Sequence, residues 1–558
     1  MKKILLSVLA IAAVTSGVAQ TFFTQTSYRG AFDAAPTPMW TDNWTEWDPQ
    51  NKTYPAPTAT VNTNITSNTT WASGQTVLLQ GPVYVKNNAV LTIQSGVTIL
   101  GSKAVAGSAL IITKGSQLIA TGTVTAPVVF TSDQAAGARS IGDWGGVILL
   151  GSAALNYTNG INNVEGLPVS VDSEFGGGIT PNNNDNSGTL QYVRIEFGGY
   201  VYQPNKEING LTMGAVGKST TIDHVQVSFT NDDGFEWFGG TVNAKYLVSY
   251  RNLDDDFDTD NGWSGNVQFG LIVRDPNLAD NPAVSTSEGF ESDNDANGTT
   301  ATPITSGIFS NITMVGPYRG ATTNTIATGY RRALRLRRST NLKVFNSIFM
   351  DTQRGIHVDG ANCETAAGNG SLKFKHNIVA GYSTARCVEQ NATNSFATNA
   401  GMPMTQWFGT MANDSILGSS SSFSTILTAP YSYTAGDYRP GSGSPALATA
   451  SFTDPVIASL TGPTSVTESK TELGYVMLYP NPSQETTYLL INSNINSDLN
   501  VKITDVTGKV CGVITNNMKL EAGLNEFKIE TSTLSSGIYF VTLYSAAGQE
   551  TIKLIVTK

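Results

Sequence analysis

From Thr76 onward the chain is a succession of short apolar bursts separated by glycine and polar turns: VLL (77–79), VYV (83–85), VLTI (90–93), VTIL (97–100), ALII (109–112), QLIA (117–120) and PVVF (127–130). The rhythm resumes at YVRI (192–195), LTM (211–213), HVQV (224–227), YLVS (246–249), FGLIV (269–273), ITMV (312–315), LKVF (342–345), GIHV (355–358) and LKFK (372–375). Each burst is too short for a helix and alternates as a half-buried strand does. Strand after strand with no helix between, at roughly 20 to 30 residues per coil, predicts a stacked solenoid. A β-propeller would need about 40 or more residues per blade and a regular signature, which is missing here.

Within this rhythm one phrase occurs twice. NDDGFEW (Asn231 to Trp237) and LDDDFDT (Leu253 to Thr259) are offset by 22 residues, the length of one coil. Each residue should then lie over its counterpart, about 4.8 Å away. Asp232 and Asp233 would stack on Asp254 and Asp255, and Phe235 on Phe257 as an internal aromatic pair. Carboxylates at that distance repel one another outside bulk water. A hard cation with oxygen ligands is the simplest way to neutralise them, and Asp232, Asp233, Asp254, Asp255 and Asp258 are the candidate ligands, with Glu236 and Asp260 alongside. The competing reading is turn chemistry, in which Asp side chains bind neighbouring backbone N–H groups without metal. A third phrase, SEGFESDND (Ser287 to Asp295), repeats the GFE of Gly234 to Glu236 and favours a repeated structural device.

Composition narrows the class. The 558 residues include 55 glycines, carry only 14% charged residues and have a net charge of -10. Such a chain is too long for one ordinary core and lacks the basic footprint that nucleic acid requires. Residues 1–19 read as a secretory leader: Lys2 and Lys3, the apolar run Ile4 to Val14, then Gly17-Val18-Ala19 before Gln20. No later stretch is long enough to span a bilayer as a helix. Three cysteines do not make a disulfide scaffold; Cys363 and Cys387 are left open as a pair, with Cys511 over. The irregular segment 20–74 carries Trp40, Trp44, Trp47 and Trp71 and suggests a cap over the solenoid end, or a sugar-stacking arm. After the solenoid (75–450), a Thr, Ser and Pro linker (451–474) leads to residues 475–558, where about seven alternating strands predict a small β-sandwich.

The strand texture, the DDGFE and DDDFD phrases and the closing DYRPGSGSPAL (Asp437 to Leu447) resemble the right-handed parallel β-helix proteins of the pectate-lyase superfamily. The resemblance implies an all-β, right-handed parallel β-helix followed by the sandwich. In one calcium-dependent lyase family of that superfamily such carboxylates bind a catalytic Ca²⁺, which acidifies the C5 proton of a uronate for abstraction by a Lys or Arg. Here Arg274 and Lys245 are the candidate bases. The chain departs from that pattern at Asp256, where the family has Gly, and at Glu236, where it has Asp. Residues 475–558 are similar to the type A sorting domain of the Bacteroidota type IX secretion system, through Tyr479-Pro480-Asn481-Pro482, Asp505-Val506-Thr507-Gly508-Lys509, Gly537-Ile538-Tyr539-Phe540-Val541 and the last strand. This implies Sec export, recognition by the type IX machinery and release from, or attachment to, the cell surface.

Three functions follow as expectations: Ca²⁺-assisted binding of an acidic polysaccharide or surface glycan, a Ca²⁺-dependent lyase acting by β-elimination, and a structural adhesin. Trp237, Trp263, Phe238 and Tyr250 are candidates for stacking on sugar rings. In YRRALRLRRST (Tyr330 to Thr340), Arg335 and Arg337 alternate with Leu334 and Leu336 and should project outward. They suit capture of a sugar carboxylate, or serve as counterions to the acidic coils. His224, His357 and His376 have no metal-ligand spacing.

Overall fold

The structure, a computed structural model, describes residues 21–558 apart from 204–205, 321–324, 382–386, 390, 392–394, 418–424, 462–474, 480, 482, 494–495, 506–507 and 546–547. The leader at residues 1–19, much of the linker at 451–474, and Pro480, Pro482, Val506 and Thr507 of the sorting motifs lie outside the described residues.

Strand register determines the architecture. Phe235 pairs with Phe257, Phe257 with Phe290, and Phe290 with Leu334, always in parallel. Extended in both directions, these pairings give a ten-stranded sheet that runs from Pro82–Val85 to Val388–Glu389. The remaining sides of each coil belong to a seventeen-stranded sheet. Its longer strands bend midway, where Tyr192, His224, Tyr246 and Phe269 adopt φ of 49°, 52°, 60° and 64°. Bulky residues avoid this left-handed region. Here their rings stack from coil to coil, with centroids 4.4, 4.3 and 5.0 Å apart, and that packing offsets the conformational cost. The molecule is therefore the all-β parallel β-helix that the apolar rhythm predicts.

The interior is filled by side chains in register. Phe235, Phe257 and Phe290 follow one another at 5.6 and 5.1 Å, and Phe309 packs 4.9 Å from Phe290. Short helices at Ala361–Asn369, Phe396–Ala400 and Met404–Thr410 adjoin the last coils and bury Phe396, Trp407 and Phe408.

The tryptophan-rich segment behaves differently from a cap. Strand pairing already begins at Ala59, opposite Val77. Residues 21–58 form a strap along the side of the solenoid, running from the last coils to the first. Phe23 bridges to Thr461, Arg29 binds Asp414 at 2.6 Å, Ala31 binds Thr313, Glu46 binds Gln226 and Thr58 binds Thr76. Trp44 is 1% exposed beneath this strap, beside Tyr192 and His224. The apolar flank of the bent strands needs a cover along its whole length, and the strap supplies it. Cys363 and Cys387 are buried and not joined by a disulfide.

One compact unit ends at Thr461 and a second begins at Gly462. The second pairs a three-stranded antiparallel sheet with a four-stranded one. Leu489, Ile491, Val501, Val541, Leu543 and Leu554 form their shared core, which is a β-sandwich. No helix of the described residues is long and apolar enough to cross a membrane.

Candidate acidic cleft

Alternation along a strand fixes which side chains leave the coil. In Phe235–Phe238, Phe235 and Trp237 point into the core and Glu236 and Phe238 outward; one coil later Phe257 and Thr259 are interior and Asp258 and Asp260 exterior. Register then stacks Glu236, Asp258 and Glu291 in one outer column, each from a different coil. The next positions of this column are Arg335 and His357.

Ahead of each strand, the turn builds a second column. The Asp233 N–H donates to Asn209 Oδ1 at 3.3 Å, the Asp255 N–H to Asp233 Oδ1 at 2.8 Å, the Glu288 N–H to Asp255 Oδ1, and the Arg332 N–H to Glu288 Oε2 at 2.7 Å. One carboxylate oxygen per coil thus ties its turn to the next. The second oxygen of Glu288 is taken by Arg332 and Thr286, whereas the second oxygens of Asp233 and Asp255 remain for something else.

Those remaining oxygens converge. Asp232, Asp233 and Asp254 form one group, Asp233, Glu236 and Asp258 a second, and Asp255, Asp258 and Glu291 a third, each with ligand oxygens within 4.8 Å of one another. Asp254 Oδ1 and Asp258 Oδ1 are enclosed and have no hydrogen-bond donor. The five expected ligands are thus distributed over three overlapping groups, with Glu236, expected alongside them, in the second and Glu291 added in the third.

Electrostatics register the crowding. Burial first, and then neighbouring carboxylates, push Asp232, Asp233, Glu236, Asp255 and Asp258 well above the usual carboxylate range. Burial and Asp280 raise Asp254 to about 7, burial and Asp293 raise Asp260 to about 7, and burial raises Glu291 to about 8 against the opposing pull of Arg337. A divalent cation would relieve the repulsion that protons otherwise relieve.

A cleft of about 670 Å³ lies over the outer column. Glu236, Asp258, Glu291, Asp260 and Asp293 form its acidic part. Its far wall comes from the long excursion between Val147 and its partner Leu211, where a neighbouring pair such as Phe235 and Phe257 needs only one coil. Tyr157, Leu167, Tyr202 and Lys206 of that excursion line the cleft, as do Arg337 and Arg338.

Other expected residues lie elsewhere. Trp237 and Trp263 are 0% exposed and stack against each other at 5.3 Å inside the coil, so neither has a face for a sugar. Tyr250 is also buried, with its hydroxyl donating to the Trp47 carbonyl of the strap. Arg274 is fully enclosed: its Nε is 2.6 Å from Asp256, and its NH1 and NH2 donate to the carbonyls of Asn252 and Glu288. That surrounding charge raises its pKa, the opposite of what a base needs. Asp256, the departure from Gly, is thus the internal counterion of Arg274. Lys245 is on the other sheet under the strap, with Nζ 3.2 Å from Thr24 Oγ1. Arg337 pairs with Glu291 and Asp293, and Arg335 with Asp359 at 2.9 Å, so both act as counterions.

The model of the family described as pectate-lyase-like beta helix domain matches residues 63–415, and that of the secretion system C-terminal sorting domain matches residues 477–557. No curated protein matches the chain. Among solved structures, full-length tailspike protein 2 from the Escherichia coli O157:H7 bacteriophage CAB120 is similar at 10% identity and a TM-score of 0.23, over 86% of this chain and 64% of that one. The enzymatically active domain of bacteriophage CBA120 tailspike protein 2 is similar at 10% identity and a TM-score of 0.22, over 86% and 72%. The chain thus spans less than two thirds of the full-length tailspike. With scores this low, the fold rests on the strand register.

Proposed function

The chain belongs to the pectate-lyase-like β-helix family, and on that premise we propose that its acidic cleft binds polysaccharide with the help of Ca²⁺ held by Asp232, Asp233, Asp254, Asp255 and Asp258. The sorting domain indicates secretion to the cell surface or the extracellular space and recognition by the type IX machinery. There the cleft meets both glycans and millimolar-affinity calcium chemistry.

The observation that carries this reading is the pair of enclosed, unpartnered oxygens, Asp254 Oδ1 and Asp258 Oδ1, within groups of carboxylates on three successive coils. Oxygen donors alone, with no nitrogen or sulfur among them, suit a hard cation of six to eight ligands. Bound there, Ca²⁺ would neutralise the column and offer open positions to a sugar carboxylate or hydroxyl. The chain's own part is preorganisation. Asn209 holds Glu236 by a hydrogen bond, and the N–H groups of Asp255 and Glu288 each hold one oxygen of Asp233 and Asp255. The ligands are therefore fixed before any glycan arrives.

A lyase would also need a base beside the bound ring. Arg274 is enclosed and paired with Asp256, Lys245 is on the other sheet under the strap, and Arg337 and Arg338 are engaged in ion pairs. This favours binding over elimination. The test is affinity electrophoresis of the full chain through polygalacturonate and alginate, with Ca²⁺ and with chelator, alongside ultraviolet absorbance of the polymers for the unsaturated product. Retardation in Ca²⁺ that chelator abolishes is expected. Unchanged mobility on every polymer would refute glycan binding and leave the adhesin reading, while growth of the absorbance would establish the lyase.

A further inference from the structure

Among the described residues, eleven large hydrophobic side chains are exposed, and seven of them lie between residues 157 and 202. That stretch is the excursion that walls the cleft. Val169 is 82% exposed, Val201 43%, and Tyr157 and Tyr202 42% each. Tyr157, Val169 and Tyr202 line the cleft itself. Elsewhere the surface follows the ordinary rule, with exposed apolar side chains occurring singly. A concentration of them at the rim of a concave site marks an interaction surface.

The chemistry of the two sides differs. One wall is the acidic column of Glu236, Asp258 and Glu291, and the excursion contributes two half-exposed phenol rings together with Glu165 and Lys206. A ligand that satisfies both needs a flat apolar face and an edge of hydroxyl or carboxylate oxygens. A pyranose ring has that shape: its axial C–H groups form the apolar face and its equatorial oxygens the polar edge. Tyrosine suits such a contact, since its ring body is apolar while its hydroxyl stays wet. A second copy of this chain fits less well, because its docking would bury carboxylates against an apolar surface without pairing them.

We propose that Tyr157 and Tyr202 form the ring-stacking wall of the glycan site and position the sugar against the acidic column. The assignment rests on the glycan reading above and adds the residues that orient the ring. It replaces Trp237 and Trp263, whose aromatic faces are spent in the core.

The test uses the full chain, with polygalacturonate as the probe in excess Ca²⁺, and compares wild type with the double variants Y157A/Y202A and Y157F/Y202F. Stacking at this strength is worth about tenfold in affinity per ring. The alanine pair should therefore bind about a hundredfold more weakly, the phenylalanine pair within about twofold of wild type. Both should keep the wild-type melting temperature and calcium-binding isotherm, because the rings are half exposed and belong to no metal group. Wild-type affinity in the alanine pair, with wild type itself binding, would overturn the stacking wall alone. Absence of binding by wild type would overturn the glycan reading and the wall with it. A dimer that the alanine pair converts to monomer in light scattering would assign the rim to a second copy and overturn the proposal.

Discussion

The outer face of the ten-stranded sheet meets the same electrostatic problem twice and solves it differently. On the coils of Arg332–Leu336 and Arg354–Val358, cations answer the acids: Arg332 binds Glu288 and Glu389, Arg335 binds Asp359, and Arg337 binds Glu291 and Asp293. On the coils of Phe235–Phe238 and Phe257–Asp260, no Lys or Arg among the described residues forms an ion pair with Asp232, Asp233, Glu236, Asp254, Asp255 or Asp258. The first stretch is complete in itself. The second has no such partner, and its Glu236 and Asp258 line the cleft beside Glu291 and Asp293 of the first. Uncompensated charge at a position where neighbouring coils show how compensation is done makes this stretch the candidate ligand site.

The largest effect should come from breaking compensation where it is most complete. Arg274→Leu leaves Asp256 buried and unpaired, a loss of about 3–5 kcal/mol; R274L/D256N should recover much of it. Thermal melting checks both, and a stable R274L single variant would show that the pair is not the internal anchor described here. Next is removal of calcium: at an ion concentration of about a hundred times Kd, chelation should cost about 2.7 kcal/mol. The melting temperature should fall on adding chelator and recover with Ca²⁺.

The acidity of the uncompensated stretch gives a pH signature. Asp254 and Asp260 sit at about 7 and Glu291 at about 8 in the fold, above their ordinary 3.8, 3.8 and 4.5. The folded chain then holds protons that the unfolded chain releases. In chelator, stability should be full below about pH 4 and decline as pH rises to about 8. Calcium displaces those protons, so the decline should flatten when it is added. A melting temperature in chelator that rises across this range would contradict the assignment. The smallest effect is expected of Arg335→Ala, whose partly exposed pairs with Asp359 and, at 3.8 Å, with Glu291 are worth less than about 1 kcal/mol each in thermal melting.

Much of this was legible in the sequence. The offset between the two phrases is the observed register, Phe235 on Phe257, and the third phrase falls on the next coil as Phe290 and Glu291. A period of two also places Trp237 on the side of Phe235, inside; the aromatic-rich phrase suggested a sugar platform because one strand does not say which side faces water. Alternation around Arg335 and Arg337 gave their outward direction correctly, yet their partners come from other coils and could not be read locally. The cleft wall was illegible for a different reason. Residues between Leu150 and Gly188 carry little strand alternation, and what makes them a wall is their position over Glu236 and Asp258, a tertiary fact. The strap escaped the sequence likewise: its tryptophans announced packing, but a cover along the side and a cap at the end have the same composition.

Asp233 belongs to the first two carboxylate groups and Asp258 to the last two, so the variant D233N/D258N disturbs all three, while the side-chain amide introduced in place of the Asp233 carboxylate keeps an acceptor for the Asp255 N–H. Isothermal titration of the full chain with CaCl₂ therefore tests the central claim most directly. Saturable binding in wild type, reduced at least tenfold in D233N/D258N, is the predicted result. No binding heat in wild type, with the same melting temperature in calcium and chelator, would contradict it.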